Sequence, residues 1–298
     1  MTRQVKDVAT SVHNRLLNLS KSTGRPFNEV FQLYAMERFL YRLSRSKHSN
    51  SFVLKGGLML RVWKAPVTRP TKDVDLLGHT ANTVANLVSI VQGVCAQPVD
   101  PDGMQFDATT AVGSLIKEDA EYNGIRVKFI GRLGVARASM QIDVGFGDAV
   151  EPPPLDIELP TLLDFPAPKL RGYQRETTIA EKFHAMVVLG TLNGLMKDFY
   201  DIWLLSQSFD FERDQLAKAI NSTFAARATA IEPDPVAFGN EFARSDDAQR
   251  RWSAFLKKSA IADAPTVFTE VVSAIGEFLL PLTHPSALRL WQRGGPWR

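Results

Sequence analysis

The segment EPPPLDIELPTLLDFPAP (151–168) carries six prolines in eighteen residues, and it restricts this chain more than any other stretch. Proline fixes its own φ, lacks an N–H and biases the preceding residue away from helix. Regular structure is therefore expected to break there, and a domain junction to fall there. The patterns on its two sides differ. Upstream, YNGIRVKFIG (122–131) and ARASMQIDVGFGD (136–148) alternate apolar and polar residues with the period of a strand. Downstream, apolar residues recur at helical spacing over about 174–190, 193–207, 213–226, 235–257 and 265–281. The tail PSALRLWQRGGPWR has no periodicity and reads as a loosely held end.

Upstream of the strands, residues 9–22 and 27–46 have helical spacing, the second through Val30, Leu33, Tyr34, Met36, Phe39, Leu40 and Leu43. SFVLKGG (51–57) reads as a short buried strand ending in two glycines, with a helix over 57–63 directly after it. KDVDLLG (72–78) reads as another strand, followed by a helix that begins at Thr80 or Asn82 and runs to about residue 96. AQPVDPDG (96–103) is a turn or loop. The architecture expected is α+β: a helical N-terminal segment (1–48), a mixed-sheet core with flanking helices (49–165) and a helical C-terminal domain (166–298).

Composition excludes several classes. Cys95 is the single cysteine, which leaves no disulfide and no cysteine metal site, the usage of a cytoplasmic protein. No secretion-signal pattern is visible at the N-terminus, and the longest apolar runs, AMVVLG and IGEFLLPL, are too short to span a bilayer. No membrane partner is expected. The net charge of +3 permits a polyanionic partner without demanding one.

The chemistry concentrates in RPTKDVDLL (69–77). In a strand, positions i and i+2 share a face, so Asp73 and Asp75 stand side by side with like charge while Val74 and Leu76 take the buried face. Asp143 occupies the polar face of 136–148 in the same way. An Asp-x-Asp alone is as readily an exposed edge strand with solvated acids. Three strand carboxylates brought together are oxygen donors suited to Mg²⁺ or Mn²⁺, which binds through one or two carboxylates plus substrate phosphates. Gly56-Gly57, between a strand and a helix, lets backbone N–H groups approach a phosphate closely. Arg69 and Lys72 precede the acids and can reach phosphates or neutralise Asp73 and Asp75. Arg126, Lys128 and Arg227 are candidate contacts to a nucleic acid, or simply solubilising charges. His79 and His184 lack metal-ligand spacing and read as structural. Lys182 flanks the apolar stripe Ile179, Phe183, Met186, Val187 and Gly190, where a lysine can merely cover the core edge. Asp198 and Asp201 border the stripe of the next helix, and Lys197–Asp201 has the spacing of an i,i+4 ion pair.

The ordered motifs FVLKGG (52–57), RPTKDVDLL (69–77) and IDVGFGD (142–148) resemble the AbiEii/AbiGii family of nucleotidyltransferase toxins, which includes the MenT-like toxins and belongs to the polymerase-β-like nucleotidyltransferase superfamily. ETTIAEKFHA (176–185), MKDFYDIW (196–203) and NEVFQLYAMERFLYRL (28–43) extend the resemblance over most of the chain. Two positions depart from it: Gly57 stands where the superfamily usually has Ser, and Leu195 where the family often has Arg.

The resemblance implies an NTP-consuming, pyrophosphate-releasing enzyme with Asp73, Asp75 and Asp143 as catalytic metal ligands. It implies Gly56, Gly57 and Lys182 on the triphosphate, and Asp201, or else Asp198, as the functional acid of the second helix. It also implies a toxin of a toxin–antitoxin or abortive-infection pair, a DNA-binding repressor as antitoxin, and the tRNA 3′ end as acceptor, with translation blocked. The alternatives that stay open are addition of AMP or UMP to a protein and a degenerate member that binds nucleotide or antitoxin without turnover.

Overall fold

The computed structural model describes residues 7–66, 69–116, 124–190, 196–284 and 286–298. The chain forms two compact units: 1–63, 70–147 and 155–172 in one, 64–69, 148–154 and 173–298 in the other. The first has the expected α+β class with a mixed sheet.

In the first unit, helix α1 (Val8–Thr23) starts at Asp7, whose carboxylate accepts from the Thr10 N–H at 3.0 Å, and stops at Gly24 in the left-handed region. Helix α2 (Phe27–Arg45) follows. Strand β1 (Phe52–Lys55) runs into the 3₁₀ turn Gly56–Leu58 and helix α3 (Met59–Val62). Strand β2 (Val74–Gly78) and helix α4 (Val84–Cys95) come next. Strands β3 (Met104–Ile116), β4 (Gly124–Leu133), β5 (Ala136–Gly145), β6 (Leu155–Glu158) and β7 (Lys169–Gly172) complete it. The seven strands form one sheet in the order β3-β4-β5-β2-β1-β7-β6. The β2–β5 and β1–β7 pairs are parallel and the other neighbours antiparallel.

The core lies between the apolar faces of β1, β2, β4 and β5 and the helices α2 and α4, with Phe39, Leu43, Leu76, Leu87, Val91, Ile142 and Val144 in one cluster. Each such side chain contributes about 1.5–3 kcal/mol by leaving water. A buried ion pair, Arg42 Nη1 to Asp102 at 2.7 Å, ties α2 to the loop before β3, and the Tyr34 hydroxyl donates to the Asp102 carbonyl.

Several expectations need correction. Helix α4 is capped by Thr83, which accepts from the Asn86 N–H, rather than by Thr80 or Asn82. Thr80 instead accepts from the Asn86 amide side chain at 3.1 Å. The helix expected over 57–63 is shorter, a 3₁₀ turn plus one α-turn. The strand β3 was not expected at all. Its register shifts between Asp107 and Val112, so the residues before and after the shift face the core with opposite parity and no single alternation runs through it. The proline-rich stretch, expected to hold no regular structure, contains β6, and β7 starts directly after its last proline. All six prolines fall outside those two strands, where no ladder N–H is needed. Residues 122 and 123 of the expected strand 122–131 lie outside the described residues, as do 193–195 of the expected helix 193–207 and with them Leu195.

The second unit is built from α5 (Arg175–Leu189), α6 (Met196–Ser208), β8 (Phe211–Glu212), α7 (Arg213–Ala226), α8 (Asn240–Ala243), α9 (Asp246–Ser259), α10 (Phe268–Leu279) and β9 (Leu290–Trp291). The single helix expected over 235–257 is divided: Val236–Phe238 is a 3₁₀ turn, and Ser245 starts α9 by accepting from the Ala248 N–H. The tail is not loose. Trp291 and Trp297 are buried, and their indole N–H groups donate to the carbonyls of Ser206 and Phe278 at 2.8 and 2.9 Å. Isolated aromatic anchors leave no periodic trace, and that is why the sequence pattern missed them.

Candidate active site

The acidic cluster follows from the core. Val74, Leu76, Ile142 and Val144 are all buried, so Asp73, Asp75 and Asp143 emerge on the opposite face of the sheet. β2 and β5 are parallel neighbours with Asp75 directly beside Asp143. One carboxylate oxygen from each of Asp73, Asp75 and Asp143 lies within 4.8 Å of the other two. Two like charges at such a separation repel by roughly 3 kcal/mol at an effective dielectric of about 20. The donor set is three hard oxygens without His or Cys, which fits Mg²⁺ or Mn²⁺ rather than a softer metal.

Gly56 makes room for this cluster. Its φ is +72°, and a Cβ there would lie 2.0 Å from Asp75 Oδ2. Both the backbone conformation and the space demand glycine. Gly56→Ala is therefore expected to destabilise the fold by at least about 1–2 kcal/mol from the left-handed backbone alone. It should also weaken Mn²⁺ binding at least about tenfold by displacing Asp75. Thermal melts and Mn²⁺ titration of the variant check both. Gly57 is buried in the middle of the short 3₁₀ turn that Gly56 begins. With only one α-turn behind it, a helix dipole adds little here, so phosphate contact would rest on backbone N–H groups.

Arg126 holds the third carboxylate. Nε donates to Asp143 Oδ1 at 2.8 Å and Nη2 to Oδ2 at 2.7 Å, while Gln141 Nε2 donates to the same Oδ2 at 3.1 Å. These hydrogen bonds keep the guanidinium's pKa above its ordinary value, with the Asp73 and Asp75 charges adding to the effect. The fork was readable in principle. The β4–β5 hairpin closes at Leu133 and Ala136, and seven residues outward on each strand are Arg126 and Asp143. Lys128 is exposed two residues along the same face, opposite Gln141. Lys72 is exposed, and its carbonyl accepts from Gln32.

The other candidate residues meet in the helical unit. Lys182, on α5, places its ammonium 2.5 Å from Asp198 and 2.9 Å from Asp201, both on α6. Arg69 forks onto the two Asp201 oxygens at 2.8 and 2.9 Å. Two cations and two carboxylates are thus balanced. Burial pushes the Lys182 pKa down, but Asp198 and Asp201 outweigh it and the net shift is upward. Burial pushes Asp201 up, but Lys182 and Arg69 outweigh it and hold it below the ordinary carboxylate range. Lys182 and Asp201 therefore stay charged at neutral pH. Asp201 pairs with Lys182 and Arg69 in place of the i,i+4 partner Lys197.

Arg227 donates to Asp148 at 2.8 Å and to Nδ1 of His184. An arginine can only donate, so His184 carries its proton on Nε2 and gives it to the Thr229 hydroxyl at 2.9 Å. Burial, then the Arg227 charge, lower the His184 pKa to about 4. The unfolded chain binds a proton at about 6.5. Stability from His184 is therefore complete above about pH 6.5 and lost as pH falls through the window down to about 4. Urea unfolding across that range should show a steeper acid loss for the wild type than for His184→Gln.

A family model described as the nucleotidyl transferase AbiEii toxin of type IV toxin–antitoxin systems matches residues 38–274. The chain belongs to the AbiEii family. The match includes Gly56, all three strand acids, Lys182 and Asp201 of this AbiEii-family protein, and membership carries a cognate antitoxin as partner. Two solved structures are similar in fold. JHP933 from Helicobacter pylori has 14% identity and a TM-score of 0.48, covering 86% of this chain and 93% of its own. A putative nucleotidyltransferase from H. pylori has 14% identity and a TM-score of 0.45, covering 86% and 98%. No curated protein matches the chain. Among the described residues, no helix is long and apolar enough to cross a membrane.

Proposed function

We propose that this AbiEii-family chain transfers a nucleoside monophosphate from an NTP to an acceptor hydroxyl in a Mg²⁺-dependent reaction, with the tRNA 3′ end as acceptor. The acceptor oxygen attacks the α-phosphorus, the bond to the bridging oxygen breaks and pyrophosphate leaves. The observation that carries this reading is the meeting of Asp73, Asp75 and Asp143 oxygens within 4.8 Å on register-matched parallel strands. A divalent cation held by those carboxylates would supply charge neutralisation and Lewis acidity at the phosphates. Asp143 is assigned to receive the acceptor's proton, a role that requires Arg126 to release it.

Gly56 and Gly57 offer backbone N–H groups to the triphosphate, and Lys72 a nearby flexible charge. Lys182 is assigned to phosphate on the family resemblance, with Asp201 as the acid that positions it. The ion pairs of Asp201 with Lys182 and Arg69 support that positioning part. The same pair gives Arg69 a bracing role. Lys128 and Arg227 are assigned to the RNA as basic contacts. The antitoxin is taken to be a DNA-binding repressor and the setting the cytoplasm. Incubation of the protein with total tRNA, Mg²⁺ and each α-labelled NTP in turn tests the reaction. Label on tRNA from one nucleotide is the expected result. Label on protein in a lysate would replace the acceptor, and no transfer to either would overturn the reading.

A further inference from the structure

We propose that Arg126 is an exchangeable counter-ion that couples metal entry to nucleotide entry, leaving Asp143 for the phosphates of the nucleotide when the cation binds. The proposal rests on the reading of Asp73, Asp75 and Asp143 as a divalent-cation site.

Asp143 receives three N–H donors from two side chains, and the Arg126 fork covers both of its oxygens at 2.8 and 2.7 Å. A carboxylate offers about four lone-pair sites, and those in its plane facing the fork are taken. A cation joining Asp73, Asp75 and Asp143 therefore competes with Arg126 for one ligand. It would also bring a second positive charge against a guanidinium already held there. The arginine has somewhere to go. Its side chain is 35% exposed, against 14% for Asp143, and it stands on the strand beside the cluster with a flexible stem. The planar fork that fits a carboxylate also fits a phosphate. A polyphosphate arriving with the cation supplies the partner that Arg126 gives up. Metal alone is then opposed by Arg126, and metal with nucleotide is favoured by it. By linkage, each ligand raises the affinity for the other by the same factor.

The test uses the full chain and two binding measurements. Mn²⁺ affinity is read from the free-ion EPR signal without nucleotide, and inorganic tripolyphosphate affinity by calorimetry at saturating Mn²⁺. Arg126→Gln is expected to bind Mn²⁺ alone about tenfold more tightly than wild type and tripolyphosphate about tenfold more weakly, the size of one hydrogen-bonded charge pair. Arg126→Lys, which keeps the charge without the fork, should shift both in the same directions by less, and it serves if the glutamine variant does not fold. Opposite shifts are what a merely structural arginine cannot produce. Unchanged or weakened Mn²⁺ binding in these variants overturns the exchange. Asp75→Asn separates the two readings: if it binds Mn²⁺ as tightly as wild type, the metal site itself is wrong. If it loses Mn²⁺ while the Arg126 variants stay at wild-type affinity, only the exchange falls.

Discussion

Asp75→Asn is expected to lower nucleotidyl transfer by at least about a thousandfold while leaving the fold as stable as wild type or more so. The two halves of this outcome have one cause. Asp75 lies in register with Asp143, and the oxygens of the three acids lie within 4.8 Å of one another. Without a cation the cluster is a store of repulsion, offset in part by the Arg126 fork. Removing one of three like charges relieves that repulsion. The amide, isosteric with the acid, keeps its place beside Gly56. With a cation present the same carboxylate is a ligand that no amide replaces at equal strength. Transfer assays and thermal melts of one protein preparation check both halves together. Lost stability with retained activity would mean that the cluster is structural and the catalytic assignment wrong.

Lys182→Met should behave in the opposite manner, costing about 3–5 kcal/mol of stability. The ammonium it removes sits between Asp198 and Asp201, which are 5% and 1% exposed. Arg69 remains on Asp201, but Asp198 is left as a buried charge with its ion-pair partner gone. Adding Asp198→Asn to Lys182→Met should therefore recover at least about 1 kcal/mol, because the amide has no charge to desolvate. Urea unfolding followed by the fluorescence of Trp203, Trp252, Trp291 and Trp297, all in the helical unit, measures the cycle. If the single variant is as stable as wild type, the network contributes little, and Lys182 is free to be read as a ligand-facing charge alone.

Legibility divided along a physical line. Period-two patterning of 72–78 and 136–148 was enough to place Asp73, Asp75 and Asp143 on polar strand faces, because Val74, Leu76, Ile142 and Val144 have no other place than the core. Helices α1, α2, α5 and α7 follow their apolar stripes to within about two residues, the usual margin of such boundaries. The bulged β3, the strand β6 among the prolines and the tryptophan-anchored tail escaped because each breaks periodicity: β3 through its register shift, β6 through its flanking prolines, and the tail through isolated indoles that donate to distant carbonyls. The pairing of Arg126 with Asp143 reflects the same boundary. A basic residue on a strand face is legible, but its partner depends on the ladder.

By itself the sequence determined which side of each strand carries acid, that a glycine pair precedes the first acids, and that the distal half is helical. These are local consequences of side-chain hydrophobicity and backbone stereochemistry. Only the tertiary structure decided that β2 and β5 are parallel neighbours, that Asp75 crowds the bare Cα of Gly56, that Lys182 meets Asp198 and Asp201, and that Arg69 joins them on Asp201. Each of those contacts joins residues from sixteen to more than a hundred positions apart. Such pairings are settled by which strand edges and buried charges remain to be satisfied once the core has formed, a competition across the whole chain that no local pattern encodes.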